Sequence, residues 1–73
     1  MTTVTLSRAH HEPTGPLMFA VLVDGMPVMA STPDEGKALR VLAATLAQHK
    51  ARGQATRAVI WDGDKGEEVP LTV

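Results

Sequence analysis

The sequence contains no cysteine and no tyrosine, and its aromatic content is one phenylalanine, Phe19, and one tryptophan, Trp61. The missing cysteine excludes a disulfide framework, thiolate metal sites and thiol nucleophiles. The scarcity of aromatic rings removes the stacking platforms on which single-stranded nucleic acid is held. No long apolar run is present: Leu17 to Val23 is the longest, far short of the ~20 residues of a membrane helix. The start of the chain shows no basic stretch followed by an apolar one, so no secretory signal is expected and the cytoplasm is the expected compartment. An excess of one charge sign is missing too, with 7 Lys and Arg against 8 Asp and Glu. The 6 glycines are spread singly, so no phosphate-cradling loop forms.

What remains is a chain of 73 residues, 44% apolar and 21% charged, the composition of one small globular domain. At this length folding hides only about 60% of the unfolded chain's surface, which leaves little stability to spare.

Val4 and Leu6 alternate with Thr3, Thr5 and Ser7 and predict a short strand with one buried face. His10, His11, Glu12, Pro13, Gly15 and Pro16 follow as a loop. Residues 1–16 are therefore expected to be a partly flexible N-terminal strand and loop. Asp24-Gly25 then separates two apolar runs, Leu17–Val23 and Met26–Ala30. A two-residue Asp-Gly loop suits a type I′ turn, because both central positions need positive φ. This hairpin sets Val23 opposite Met26, Leu22 opposite Pro27, Val21 opposite Val28 and Phe19 opposite Ala30. Pro27 has no N–H for a ladder, so its nitrogen is expected to face outward.

Thr32 is the expected N-cap of a helix, with Pro33 at its first position and Glu35 completing a capping box. The helix is expected to end at Ala51 or Arg52, with Gly53 just beyond. Leu39, Leu42, Ala43 and Leu46 form the apolar stripe expected to lie on the sheet. Arg57–Trp61 reads as a strand, Asp62–Gly66 as a turn, and Val69, Leu71 and Val73 as an edge strand marked by Pro70. The order is β-β-β-α-β-β, an α+β fold: a mostly antiparallel sheet with one helix packed on one face.

The hairpin carries the main functional signal. A strand with one wet face alternates apolar and polar residues. Here one side carries Leu17, Phe19, Val21, Val23, Val28 and Ala30, and the other Met18, Ala20, Leu22, Pro27 and Met29. A single helix shields one side only. Either other segments of the chain cover the second side, or it is a patch for a partner. Methionines there are polarizable and adaptable. Met18, Leu22 and Met29 are the expected anchors, joined by Arg8, His10 and His11 from an N-terminal segment that orders on binding.

Charge is segregated despite the balanced total. Lys37, Arg40, Lys50, Arg52 and Arg57 fall in a stretch without acids, and Asp62–Glu68 is mostly acidic. Lys37, Arg40, Arg52 and Arg57 are the candidate phosphate contacts, with Val41 out of place on the same outer helix face. The absence of a basic excess disfavours that reading. His10 and His11 point to opposite sides of a strand, and with His49 they make no fixed metal spacing, so no metal is expected. His49 reads as a packing residue beside the stripe. Asp62, Asp64, Glu67 and Glu68 are too few and too close for a calcium loop. Ser7 and Ser31 lie in no nucleophile elbow, and no carboxylate pair has an apolar pocket. Neither an enzyme nor a cofactor is expected.

In size, lack of cysteine and β-rich single-helix layout, the whole chain resembles the small proteins that phages use to seize host machines. These include regulators of bacterial RNA polymerase and inhibitors of defence nucleases. The hairpin, the Thr32–Ala38 helix start and the Asp62-Gly63 turn also resemble small uncharacterised β-β-α-β domains, a likeness that implies no activity. The first resemblance implies a viral, non-enzymatic regulator that occludes or bridges sites on a larger protein, with host RNA polymerase as one such partner. A homodimeric structural module and a nucleic-acid accessory are the alternatives.

Overall fold

The strand marked by Val4 and Leu6 is the longest in the structure and lies at the centre of its sheet. The computed structural model describes residues 1–71. In chain order the elements are β1 (Thr2–His10), β2 (Leu17–Val23), β3 (Met26–Pro27), α1 (Glu35–Ala51), β4 (Thr56–Asp62) and β5 (Glu67–Pro70). They give the expected α+β order, in a five-stranded sheet arranged β3-β2-β1-β4-β5. The three pairings between sequence neighbours are antiparallel, whereas β1 and β4 run parallel, so the sheet is mixed. The helical crossover makes that difference, because it returns the chain along β1 in the same direction.

The strand expected within residues 1–16 is Thr2–His10, a central strand held on both sides. At its start Thr2 N–H donates to Ala55 O at 3.0 Å, and Thr3 N–H donates to Asp24 Oδ1 at 2.9 Å. At its far end Gly63 N–H donates to Arg8 O at 2.8 Å.

The hairpin turn is as expected, with Asp24 at φ 49° and Gly25 at φ 83°. Leu22 faces Pro27 and Val23 faces Met26, and Val28 N–H donates to Val21 O at 2.9 Å. Beyond that point the ladder departs from the sequence expectation. Phe19 exchanges bonds of 2.8 and 2.9 Å with Thr32, not with Ala30. The two additional residues loop out where the chain leaves the sheet edge for the helix. Val28 is left 49% exposed, and Met29 turns in to pack against the core.

The helix begins two residues later than Thr32 predicts. Asp34 is the N-cap, extended at φ −85° and ψ 97°, and its Oδ1 accepts from Lys37 N–H at 3.1 Å. Thr32 Oγ1 accepts from Asp34 N–H at 3.1 Å and so braces the approach. Pro33 lies before the cap. At the other end Gly53 has φ 71°. Its N–H reaches Lys50 O at 3.0 Å, while Gln54 N–H reaches His49 O at 3.0 Å. These two bonds form the Schellman pattern that a left-handed glycine permits.

The buried stripe is rotated from the expected one. Ala38 and Leu42 are its buried residues, with Val41 and Leu46 packed alongside. Leu39 is 45% exposed, and Ala43 is exposed as well. The reason is steric: Ala38, with no bulk beyond Cβ, is fully enclosed and lets the helix approach the strands. Val41, which looked misplaced on an outer face, therefore faces inward. Val4, Leu6, Phe19 and Val21 supply the sheet side of this core.

Both sheet edges carry a proline in the position that blocks pairing. Val28 N–H turns in to Val21, and Leu71 N–H turns in to Ala58. Alternation then aims the preceding nitrogens, those of Pro27 and Pro70, away from the sheet, where proline has no hydrogen to donate. The last strand ends at Pro70. Leu71 packs against the core, Val69 is 53% exposed, and Val73 lies outside the described residues.

Candidate functional site: the uncovered face of the sheet

The two-residue alternation of strands sorts every side chain to one of two faces. Val4, Leu6, Phe19 and Val21 point toward α1. Their sequence neighbours point the other way, where no helix lies among the described residues. Strand register orders them in rows. One row is Pro27, Leu22, Thr5, Val59 and Pro70. The next is Ala20, Ser7, Trp61 and Glu68. Thr3 and Arg57 form a row on one side, and Ala9 and Met18 on the other.

This face is apolar at β2 and β4 and hydroxyl-bearing along β1. Met18, Ala20 and Leu22 are half-buried, Trp61 is 39% exposed, and Val59 is enclosed by its neighbours. Thr5, Ser7, Leu22, Gly25, Trp61 and Glu68 line a shallow depression of about 360 Å³. A smaller one of about 210 Å³, lined by His11, Glu12, Gly15, Pro16 and Met18, lies at the loop end. Among the described strand positions of this face, Arg57 and Glu68 carry the only charges, and they pair across β4 and β5 at 3.3 Å.

The residues singled out from the sequence divide between the two faces. Met18 and Leu22 lie on the open face, with His11 beside Met18. Met29 is corrected to the core side, because the hairpin opens before it. Arg8 and His10 share the parity of Val4 and Leu6, so they do not join Met18. Arg8 lies in register with Asp62, and His10 is held by Asp64. Of the candidate phosphate contacts, Lys37, Arg40 and Arg52 belong to the helix and its C-cap. Arg57 is on the opposite side of the molecule, engaged by Glu68, so the four make no single surface. Sequence reading missed Trp61, Thr5 and Ser7. The alternation in both segments was visible, but the parallel pairing that brings Ser7 beside Trp61 was not.

A polar clasp closes one end of the sheet. His10 Nδ1 lies 2.6 Å from Asp64 Oδ2, and His10 N–H donates to Asp64 Oδ1 at 2.9 Å. Asp62 Oδ1 accepts from the N–H groups of Asp64 at 3.1 Å and Lys65 at 3.2 Å, which shapes the turn. The hydrogen bond from the His10 backbone, then that from its ring, lowers the Asp64 carboxyl below its ordinary 3.8. A carboxyl lowered on folding contributes stability above its unfolded pKa and loses it as pH falls through the folded one. Asp64→Asn is therefore expected to lower the urea midpoint at pH 7. The gap from the native chain should close as pH falls below about 3.8, and a gap independent of pH would contradict the clasp. No group of three His, Asp or Glu able to hold a metal occurs among the described residues. Among the described residues no helix is long and apolar enough to cross a membrane.

No family model, no curated protein and no solved structure matches this chain.

Proposed function

We propose that this protein is a non-enzymatic association module that docks another protein surface on the open face of its sheet. The observation that carries this reading is the pair of apolar tracts, Met18 to Leu22 on β2 and Val59 to Trp61 on β4, that flank the hydroxyls of β1 on the side away from α1. A face of this kind gains from being taken out of water. Trp61 and Arg57 are the residue types that most often anchor such contacts. The prolines at both edges argue against strand addition, which leaves face packing as the mode of engagement. The face balances one arginine with one glutamate, so it offers no field for a polyanion. Occlusion of a larger protein, as the likeness to phage regulators implies, is one form that such docking takes, and the cysteine-free chain suits the cytoplasm.

The test uses the immobilised chain to retain soluble protein, a second copy of itself included. Leu22→Asp is expected to retain none while its circular dichroism stays native. Arg40→Glu with Arg52→Glu is expected to retain what the native chain does. Equal retention by Leu22→Asp, or salt-sensitive retention of DNA or RNA lost with the two arginines, would overturn the reading.

A further inference from the structure

We infer that the occupant of the open face is a second copy of this chain, packed face to face about a two-fold axis that crosses the strands. The inference rests on the docking reading above and names its partner. The register supplies the argument. The row Pro27–Leu22–Thr5–Val59–Pro70 runs straight across the sheet, perpendicular to the strands. A two-fold axis along this row sets Leu22 against Leu22 and Thr5 against Thr5 of the second copy, while Val59 stays enclosed beneath its neighbours. It exchanges the flanking rows, so Ser7 meets Thr3 and Trp61 meets Arg57.

Charge then matches itself. Glu68 stands in register with Trp61 on the neighbouring strand. Arg57 of the second copy, placed over Trp61, lies across the ring and beside Glu68. The cation–π contact and the ion pair each occur twice by symmetry. The same two residues already pair within one chain at 3.3 Å, and with 49% and 47% of their side chains exposed the pair presents both charges to a partner. An apolar row flanked by one residue of each sign is complementary to its own copy. A partner of excess charge finds no match there.

The area is sufficient. Strands ~4.8 Å apart and rising ~3.3 Å per residue make this face about 500 Å² in projection. Two such faces together bury about 1,000 Å², the least total area that a specific interface needs. Sheets stacked with their strands nearly aligned are an ordinary packing, with the inner faces about 10 Å apart. The arrangement leaves both helices on the outside.

Sedimentation equilibrium on the native chain should give twice the 7.7 kDa chain mass. Arg57→Glu and Glu68→Arg, each alone, set like charges together across the axis and should weaken the dimer by roughly 100-fold. An equimolar mixture of the two variants should recover it, because each then supplies the charge the other lacks. Circular dichroism of each variant controls for folding. A native chain that stays monomeric at millimolar concentration, yet still shows Leu22-dependent retention of another protein, overturns the second-copy inference and leaves the docking face standing. A dimer that survives Leu22→Asp overturns both. A dimer indifferent to both charge reversals, or no recovery on mixing, overturns the two-fold arrangement.

Discussion

Val21→Asp does not fold. Val21 is fully enclosed, in register with Leu6 on β1, and belongs to the cluster that α1 covers. An aspartate there is a carboxyl without a partner in an apolar layer, which costs several kcal/mol whether it stays charged or takes up a proton. A domain of this length has about 4–11 kcal/mol in total, at ~0.05–0.15 kcal/mol per residue. The loss of the valine's own burial adds ~1.5–3 kcal/mol. The expected circular dichroism at 25 °C is that of an unfolded chain, with no cooperative transition on heating. Its neighbour Leu22 takes the same substitution and keeps the native spectrum, because one step along a strand moves a side chain to the other face. A native melt for Val21→Asp would mean that the covered and open faces have been exchanged.

That pair of neighbours also marks how far the sequence could be read. Asp24-Gly25 fixes the hairpin because two positive-φ positions in a row admit few alternatives, and the register at Val23 and Leu22 follows from it. Parity along β2 was legible for the same reason: Phe19 and Val21 lie under the helix, and Met18 and Leu22 on the open side. The register failed past Val28, where the chain must leave the edge to enter the helix. No residue in Met29-Ala30-Ser31 announces the two-residue excess. The consequence was Met29, assigned to a face from which the loop turns it away. The placing of Arg8 and His10 on the helix side has a different cause. A chain terminus gives few local signs of being central, since β1 owes its place to β2 on one side and to β4 on the other. The β4 pairing joins Thr3 to Arg57 and Ser7 to Trp61. Contacts of such separation leave no trace in local pattern, and Trp61 could not be placed on the face without them. The helix cap shows a milder version of the problem. Thr32 and Asp34 both have capping side chains, and only the path into the helix decides that Asp34 closes on Lys37 N–H while Thr32 braces Asp34.

Leu42→Ala and Leu39→Ala are the same chemical change three residues apart, and they are expected to differ severalfold in cost. Leu42 is 4% exposed and packs in the core cluster. Its truncation removes the transfer energy of the deleted carbons and leaves a space between helix and sheet, a loss of ~2–5 kcal/mol. For a domain of this size each 1 kcal/mol shifts the melting temperature by ~4–8 °C, so the fall should be at least about 8 °C. Leu39 is 45% exposed, and its truncation to a better helix former should stay within about 0.5 kcal/mol of the native chain. The contrast reports the rotation of α1 about its own axis. The stripe drawn from leucines alone takes in Leu39 and Ala43 and passes over Ala38, whereas the packed stripe runs Ala38, Val41, Leu42 and Leu46. Ala38, at 0% exposed, decides between them. A small residue at the closest approach lets the helix axis settle toward the strands, and that turns Val41 inward at the expense of Leu39. If thermal melts showed Leu39→Ala as costly as Leu42→Ala, the helix would be seated as the leucine spacing alone predicts.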